Sequence, residues 1–358
     1  MKLLTILGTR PEIIRLSRII PKLDDQLGAN HRVLHTGQNY DPTLNDIFFK
    51  DLGLRRPDVV INNTDASLGD QLGNMFKGVE EDLKKFRPDK VLILGDTNSS
   101  LSAILYERLG IPVYHMEAGN RCYDLKVPEE KNRRIIDSVS SFNLPYTRQS
   151  RENLLREGYP SDRIFVTGNP ILEVMHHYRS QIQKSDILHE LQVEPKKYVL
   201  VTSHREENVD IRYRLYNIFD ALAEIAKEYP VIFSCHPRTK KTMKQFGIEI
   251  ADKNQIKIVE PLGFFDFIKL EQECKLAITD SGTVQEEMCL HKIPTVTIRD
   301  TTERPETVWC GSNIVSGLNK NAILRCYKQA LTIPTDWDAP SGYEQTNVSD
   351  TVVNILAR

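Results

Sequence analysis

The sequence predicts an α/β protein made of two doubly wound domains that face each other across a cleft. Its 358 residues correspond to about two domains at roughly 150 residues per domain. Short apolar runs recur along the chain with helical stretches between them, which is the order of elements in repeated βαβ units. This order appears in the first half of the chain and again in the second, so we expect one doubly wound sheet in each half.

The apolar runs of the first half predict a parallel sheet. Several of them are continuous rather than alternating, as expected for strands that are buried on both faces. The segments 11–23 and 68–86 carry apolar residues at helical spacing and are predicted as helices. The predicted strands are residues 3–7, 32–35, 58–61, 91–94, 113–116, 142–144 and 164–166.

The second half repeats this pattern after a break near Gly168 and Pro170. Because glycine permits unusual dihedrals and proline suits the start of a helix, we place the domain boundary there. The first domain then spans residues 1–168 and the second residues 169–358, with a terminal helix at 349–356 that packs back on the first domain. The predicted strands of the second half are residues 198–201, 231–234, 256–259, 276–278 and 295–298.

Composition and charge exclude several classes of protein. Lys and Arg number 47 against 49 Asp and Glu, so there is no basic excess to hold nucleic acid. The apolar run at residues 3–7 is too short for a signal peptide or a membrane span. The six cysteines form no CxxC pair and no cluster with zinc-ligand spacing, which predicts reduced thiols and no metal site. We therefore expect a cytoplasmic protein with neither a nucleic-acid nor a membrane partner.

Polar residues that follow the apolar runs indicate where a ligand would bind, because open α/β sheets bind ligands beyond the carboxyl ends of their strands. After the first run, Arg10 and Pro11 open a helix whose amides could hold a phosphate, although an ordinary strand-to-helix turn fits as well. Asp96 follows the fourth run, where it could instead cap the next helix. Glu117 ends the fifth run and precedes Gly119 rather than a helix signature, which favours a functional carboxylate.

Two histidines take corresponding places in the second half. His204 and His236 each follow a predicted strand and stand close to an arginine, and histidine suits acid–base catalysis near neutral pH. A structural role fits each of them equally well. Glu129 in the first half has the same two interpretations, because it lies in the first turn of a predicted helix, where the helix dipole favours carboxylates.

The strongest local signal covers residues 279–287. A strand ends, a turn at Ser281 and Gly282 follows, and a helix begins whose free amides could cradle a diphosphate. Glu287 lies one turn into this helix, where its carboxylate could hold the hydroxyls of a ribose. The first half contains neither GxGxxG nor a P-loop motif, so NAD enzymes and P-loop hydrolases fit poorly. A phosphate site in one half with acid–base groups in the other predicts nucleotide-sugar chemistry.

Seven segments in this order resemble the non-hydrolysing UDP-N-acetylhexosamine 2-epimerase family, which shares a two-domain fold with the GT-B glycosyltransferases. The resemblance covers essentially the whole chain. It implies the GT-B fold, C2 epimerisation of a UDP-sugar, and no cofactor or metal. The segments are residues 8–12 (GTRPE), 95–97 (GDT), 115–119 (HMEAG), 128–130 (PEE), 204–205 (HR), 280–287 (DSGTVQEE) and 299–306 (RDTTERPE).

The resemblance also implies roles for individual residues. Phe267 would lie against the uracil, Glu287 on the ribose, and residues 281–283 on the diphosphate. The implied catalytic residues are Asp96, Glu117, Glu129 and His204. The implied substrate-binding residues are Arg10, Arg15, Arg133, His236, Phe267, Ser281, Gly282, Thr283, Glu287 and Arg304.

Four departures from the UDP-N-acetylglucosamine 2-epimerases narrow the substrate. Residue 15 is Arg where those enzymes usually have Lys, and residue 283 is Thr where they have Gly. Asn120 and Cys122 stand where Leu and Thr are usual. These residues look more like a capsule and O-antigen branch that converts UDP-2-acetamido-2,6-dideoxy-L-talose to UDP-N-acetyl-L-fucosamine. In addition, residues 38–40 (QNY) lack the basic residues of effector-regulated epimerases, which argues against allosteric activation.

Other functions stay open at this point. The nearest alternative is a UDP-N-acetylglucosamine 2-epimerase that forms UDP-N-acetylmannosamine, since it shares every core motif. An inverting GT-B glycosyltransferase is disfavoured by the several carboxylates opposite the phosphate motif, and a non-catalytic UDP-sugar sensor by the intact acidic and histidine positions. We further expect that the enzyme binds a UDP-sugar and forms a homodimer.

Overall fold

Two six-stranded parallel sheets form the structure, which is a computed structural model. They lie in two units: residues 1–177 with residues 341–358 make the first, and residues 178–340 make the second. The prediction of two doubly wound α/β sheets is confirmed. The structure describes residues 1–38, 42–63, 67–249 and 255–357, so Asn39 and Tyr40 of the predicted effector segment lie outside the described residues.

The strands of the first unit come from the apolar runs of the first half. They are β1 (Leu3–Leu7), β2 (His31–His35), β3 (Val59–Val60), β4 (Lys90–Leu94), β5 (Val113–Met116) and β6 (Phe142–Leu144). They pair in the order β3-β2-β1-β4-β5-β6, and each neighbouring pair is parallel. The strand order reverses between β1 and β4, and doubly wound sheets bind ligands beyond the carboxyl ends of strands at such a switch point.

Eight helices before residue 178 surround this sheet within the described residues. They are α1 (Arg10–Leu16), α2 (Ile19–Leu27), α3 (Pro42–Asp51), α4 (Leu68–Lys85), α5 (Ala103–Arg108), α6 (Pro128–Val139), α7 (Arg148–Arg156) and α8 (Ile171–His177). The single helix predicted over residues 11–23 is two helices. The amide of Ser17 donates to the carbonyl of Ile14 at 3.2 Å, and this tighter turn ends α1.

The second unit repeats the topology of the first. Its strands are β7 (Val199–Ser203), β8 (Val231–Cys235), β9 (Ile256–Val259), β10 (Leu276–Thr279), β11 (Thr295–Thr297) and β12 (Asn313–Val315). The order β12-β11-β10-β7-β8-β9 places the switch point between β10 and β7. Strand β12 is not among the predicted strands, because it is short and begins with the polar residue Asn313.

The helices of the second unit follow its strands. They are α9 (Arg179–Gln183), α10 (Ile187–Glu190), α11 (Glu206–Val209), α12 (Arg212–Ile225), α13 (Pro237–Phe246), α14 (Phe264–Glu273), α15 (Gly282–Leu290), α16 (Pro305–Trp309) and α17 (Lys320–Ala330). In the described part of the chain, no helix combines the length and the apolar character that crossing a membrane would require.

The C-terminal helix α18 (Val348–Ala357) belongs to the first unit and packs on α2. Its first turn is tied to α8, because the Ser349 amide donates to Glu173 Oε2 at 2.8 Å. Near its end, Lys90 Nζ donates to the carbonyl of Leu356 at 2.8 Å. These contacts join the C-terminal segment to the first unit, which comprises residues 1–177 and 341–358, whereas the sequence prediction placed one boundary after residue 168.

The strand predicted at residues 164–166 is wrong. This segment makes a single bridge, between Ile164 and Asn143, and then runs alongside the edge of the sheet. Gly168, which follows it at φ +87°, approaches the C-terminal segment so closely that a Cβ there would lie 2.1 Å from Gln345 Oε1. The segment therefore lies between β6 and the C-terminal segment. Within the described residues, no further strand pairs with it.

Candidate active site

The loop after β1 is closed by the buried carboxylate of Glu12. Its Oε2 accepts from the amides of Gly8 at 2.5 Å and Thr9 at 3.0 Å, which forms a capping box at the start of α1. Its Oε1 accepts from Thr97 Oγ1 at 2.6 Å, so Glu12 joins this loop to the one after β4. Burial raises the pKa of Glu12 to about 7, and the hydrogen bonds from Thr97, Gly8 and Thr9 offset only part of that effect.

Arg10 is the first residue of α1 and is half-buried. Its guanidinium lies over the ring of Phe48, 5.6 Å from the centroid. Burial lowers the pKa of Arg10 from its ordinary value. Arg10, the predicted nucleotide contact, thus lies beyond the carboxyl end of β1, which is one of the two strands at the switch point.

Four predicted site residues form one contact cluster in the first unit, which we call the carboxylate–arginine cluster: Arg15, Asp96, Glu117 and Arg133. Arg133 Nη2 contacts Asp96 Oδ2 and lies 3.0 Å from Glu117 Oε1. Arg15 Nη1 contacts the other oxygen of Glu117, Oε2. Two cations thus face two carboxylates in a site where all four side chains are largely buried.

The backbone at Glu117 is strained. Its φ is +65°, in the left-handed region that side chains with a Cβ rarely adopt, and the residue is buried. Such a conformation costs on the order of 1–3 kcal/mol and persists only where its surroundings enforce it. Here the Glu117 amide donates to Leu144 O at 3.1 Å, and Arg133 Nη1 donates to the Glu117 carbonyl at 2.6 Å. The strained turn directs the carboxylate towards both arginines.

Two of the residues that distinguish this sequence from the UDP-N-acetylglucosamine 2-epimerases lie in or beside the carboxylate–arginine cluster. Arg15 contacts Glu117 and also lies over the ring of Tyr146, 5.6 Å from the centroid. Asn120 is buried three residues beyond Glu117, where its Oδ1 accepts from Ser150 Oγ at 2.7 Å. A third, Cys122, is half-buried, and its amide donates to Glu130 Oε2 at 2.9 Å.

Glu129 lies in the first turn of α6 and is half-buried. Its neighbour Glu130 is buried and is fixed by the Cys122 amide and by Arg134 Nε at 2.9 Å. The same helix carries Asn132, whose Nδ2 donates to the main-chain oxygen of Asp96 at 3.0 Å. The sequence interpretation gave no role to Glu130 or Asn132, because a polar residue inside a helix carries no spacing signal of its own.

In the second unit, Asp280 organises the loop that carries His204. Asp280 is fully buried at the end of β10, across the switch point from β7. Its Oδ2 accepts from the amides of His204 at 2.9 Å and Arg205 at 3.0 Å, and from Asn208 Nδ2 at 3.0 Å. The His204 ring remains 40% exposed, with Nδ1 3.3 Å from Asp280 Oδ1. A fixed carboxylate behind a partly exposed imidazole is the arrangement that an acid–base histidine requires.

His236 lies beside His204 at the end of β8. Their ring centroids are 5.9 Å apart. His236 caps α13, because its Nδ1 accepts from the amide of Arg238 at 3.2 Å, and this bond leaves Nε2 as the ring nitrogen that would carry the proton.

The first turn of α15 begins at the predicted diphosphate loop. Ser281 Oγ and Thr283 Oγ1 are 3.0 Å apart, so both hydroxyls stand at the amino end of this helix. Gly282 lies under Arg304, and a Cβ at residue 282 would come 3.5 Å from Arg304 Cζ. The amides of a first helical turn have no partner within the helix and favour anions. The loop therefore combines amides, two hydroxyls and a cation within one turn.

The remaining predicted residues of the second unit lie around this helix. Glu287 is buried one turn further along α15. Burial of Glu271 raises the pKa of that neighbouring residue, and the nearby carboxylate of Glu287 raises it further. Arg304 Nε contacts Glu286 Oε1, and Phe267 is half-buried on α14 against the apolar cluster below the sheet. Among the described residues, no group of three or more His, Cys, Asp or Glu side chains could hold a metal ion.

Comparisons with known proteins show which family this chain resembles in sequence and fold. The sequence model of the family described as UDP-N-acetylglucosamine 2-epimerase matches residues 21–357. The chain is 40% identical to the UDP-N-acetylglucosamine 2-epimerase of Methanocaldococcus jannaschii, over 99% of each chain. It is 34% identical to the UDP-2,3-diacetamido-2,3-dideoxy-D-glucuronate 2-epimerase of Pseudomonas aeruginosa, over 92% of each chain. The crystal structure of the Methanocaldococcus jannaschii enzyme with UDP-GlcNAc and UDP matches with a TM-score of 0.94, covering 100% of this chain and 99% of that one.

The shared fold and the similar sequences define an isomerase that acts on UDP-sugars. The chain belongs to the non-hydrolysing UDP-N-acetylglucosamine 2-epimerase family. The predicted GT-B-like fold and the predicted enzyme class are thereby confirmed. The relatives reported above are named for UDP-N-acetylglucosamine and for a diacetamido-glucuronate, and neither is named for an L-talose derivative.

Proposed function

We propose that this enzyme epimerises C2 of UDP-2-acetamido-2,6-dideoxy-L-talose and forms UDP-N-acetyl-L-fucosamine for capsule or O-antigen synthesis. The observation that carries the proposal is the contact of Arg15 with Glu117. Arg15 is a residue that separates this sequence from the UDP-N-acetylglucosamine 2-epimerases, and it touches a carboxylate that is predicted to be catalytic.

The reaction requires a good leaving group before it requires a base. The C2 proton of a hexosamine is not acidic, so the bond between C1 and the diphosphate oxygen breaks first and UDP leaves with the bonding electrons. A carboxylate of the set Asp96, Glu117 and Glu129 then takes the C2 proton, which gives a glycal. Return of a proton to the opposite face of C2 and re-addition of UDP at C1 complete the epimerisation, with no net change in atoms or charge.

We assign the diphosphate, the nucleoside and the sugar to different sets of residues. Ser281, Gly282 and Thr283 hold the diphosphate with the first amides of α15, and Arg10, Arg304 and His236 add positive charge or hydrogen bonds. Glu287 holds the ribose and Phe267 the uracil. The carboxylates of the first unit and His204 serve as bases and acids at the sugar.

The substrate assignment rests on residues around Glu117. Arg15 offers a planar guanidinium that contacts Glu117 and covers Tyr146, which a lysine ammonium could not do at once. Asn120 and Cys122 alter the turn that follows Glu117. A 6-deoxy sugar carries a methyl group in place of a hydroxymethyl group, so a pocket with changed polarity suits it.

A second candidate is a UDP-N-acetylglucosamine 2-epimerase that forms UDP-N-acetylmannosamine. The observation that favours it is the 40% identity with the Methanocaldococcus jannaschii enzyme of that name. It would use the same carboxylates and the same UDP site, so only the substrate distinguishes the two candidates.

Deuterium exchange separates these candidates. The protein is incubated in deuterated water with UDP-2-acetamido-2,6-dideoxy-L-talose and, separately, with UDP-N-acetylglucosamine, and deuterium at C2 is measured by NMR. We expect deuterium in the 6-deoxy product with a much slower reaction of the glucosamine compound. Exchange of the glucosamine compound alone would replace our assignment by the second candidate. Sugar transfer to an added acceptor without exchange would indicate a glycosyltransferase.

The assembly and location of the enzyme are further parts of the proposal. We infer a homodimer from the resemblance to the epimerase family, and a location in the cytoplasm in keeping with the six free cysteines. Multi-angle light scattering at the protein concentration used for the exchange reaction tests the dimer, and a mass of one chain would contradict it.

A further inference from the structure

His115 is a fully buried histidine of β5 whose ring contacts two different segments of the first unit. Its Nε2 lies 2.8 Å from the carbonyl oxygen of Gly95, which belongs to the peptide bond that leads into Asp96. Its Nδ1 lies 2.8 Å from Asp137 Oδ1 on α6. The ring therefore connects the loop after β4 with the helix that carries Glu129 and Arg133.

Asp137 extends this connection to the turn after Glu117. It is fully buried, and its Oδ2 accepts from the amide of Gly119 at 3.1 Å. The same oxygen lies 2.7 Å from Arg121 Nη1, and Arg121 in turn pairs with Glu157 through Nη2 at 2.6 Å. His115 and Asp137 thus contact each of the three segments that carry predicted catalytic carboxylates of the first unit.

Each contact of the ring has a defined partner atom. Nε2 donates to the carbonyl oxygen of Gly95, because a carbonyl oxygen only accepts hydrogen bonds. Nδ1 faces Asp137 Oδ1, and Arg121 contacts the other oxygen of the same carboxylate. Although burial raises the pKa of Asp137, the contacts with His115, Arg121 and Arg133 outweigh it and leave that pKa below its ordinary value.

We propose that His115, held by Asp137, is a positioning residue that fixes Asp96 and Glu117 relative to each other. This inference rests on the proposed function, because it assumes that these carboxylates act at C2. His115 itself touches no reacting atom in this assignment. Its effect is on geometry, and a displacement of about 1 Å at a catalytic group can cost on the order of 100-fold in rate.

The variant H115Q tests the proposal, with H31Q as its matched control. His31 is also a buried histidine of the first sheet with an aspartate partner, since its Nδ1 lies 2.6 Å from Asp24 Oδ1. However, it is the first residue of β2 and therefore lies at the amino ends of the parallel strands, whereas the carboxylates lie at their carboxyl ends. The measurements are kcat and KM for C2 deuterium exchange, the Kd of UDP, and the midpoint of urea unfolding.

We expect H115Q to lower kcat by about 10- to 100-fold while KM and the Kd of UDP change by less than about threefold. H31Q should shift the unfolding midpoint and leave kcat within about twofold. D137N is the second variant and should reproduce the loss of kcat. Equal kcat values for H115Q and the wild type, or an equal loss in H31Q, would overturn the positioning role while the wild-type exchange still supports the proposed function. Absence of wild-type exchange would overturn both.

Discussion

Arg133 holds Glu117 through two atoms at once. Its Nη2 lies 3.0 Å from the carboxylate oxygen Oε1, and its Nη1 lies 2.6 Å from the main-chain oxygen. Since Glu117 has a φ of +65°, this double contact stabilises both the side chain and the strained backbone beneath it. The arginine is therefore part of the structure of the site as well as part of its charge.

Replacement of Arg133 by methionine should cost both stability and activity. Removal of one partner of a buried ion pair leaves uncompensated charge and costs about 3–5 kcal/mol of the free energy of unfolding. We expect R133M to lose that amount in urea unfolding and to lose C2 exchange by about 100-fold or more. The control is K131M, which removes a cation from an exposed position on the same helix. Similar losses in both variants would mean that the effect comes from net charge rather than from the contacts with Glu117.

The pH dependence of stability should report on Glu12. In the folded chain its carboxyl keeps a proton up to about pH 7, whereas its ordinary pKa is 4.5. The contribution of Glu12 to the free energy of unfolding is therefore complete below pH 4.5 and is lost as the pH rises through 7, a change of about 3 kcal/mol. Glutamine keeps the capping box without titrating. We expect the difference in unfolding free energy between the wild type and E12Q to fall over this range, and parallel curves from pH 5 to 8 would contradict the assignment.

The substitution G119A should disturb the turn after Glu117. Gly119 has a φ of +77°, and a Cβ there would lie 2.3 Å from the carbonyl oxygen of Ser150. Gly110 provides the control, because it has a φ of +73° but no atom within 4 Å of an added Cβ. We expect G110A to cost about 1 kcal/mol for the backbone alone and G119A at least about 2 kcal/mol more. Only G119A should slow C2 exchange, and equal effects would show that the close approach to Ser150 is relieved without cost.

Thiol reactivity should differ among the cysteines. The Sγ atoms of Cys289 and Cys310 are 3.7 Å apart, and the hydrogen bond from Cys289 lowers the pKa of Cys310 to about 6. Burial instead raises the pKa of Cys326. Because the thiolate is the reactive form, iodoacetamide at pH 7 should alkylate Cys310 faster than Cys326, as followed by peptide mass spectrometry. The variant C289A should slow the reaction of Cys310, and an unchanged rate would exclude this hydrogen bond as the cause.

The fold was predictable because each half of the chain contains continuous apolar runs that lie in separate strands. β5 and β6 appear in the structure with the predicted bounds. The strand predicted at residues 164–166 failed because an apolar run does not show how far pairing extends, and here only Ile164 forms a bridge, with Asn143. β12 was missed because its own three residues do not indicate a strand, and only its pairing with β11 defines it.

The proximity of two carboxylates was predictable, because each of them follows the end of a strand. Asp96 and Glu117 follow β4 and β5, and parallel strands bring such positions to one edge. The contact of His115 with Asp137 could not be predicted in this way, because one residue lies within a strand and the other within a helix, 22 positions apart. Their partnership depends on how α6 packs against β5 and β6, and this packing is not visible in local spacing.

The substitution R15K should change the choice of substrate. Lysine keeps the charge beside Glu117, but its ammonium cannot contact the carboxylate and cover the Tyr146 ring together. We therefore expect R15K to lower kcat/KM for UDP-2-acetamido-2,6-dideoxy-L-talose by about tenfold and to raise the relative rate with UDP-N-acetylglucosamine. The control is R18K, since Arg18 lies outside the cluster and contacts His177 at 3.0 Å. An equal loss with both substrates would show that Arg15 supports catalysis without selecting the sugar, and the substrate assignment would then need another basis than residue 15.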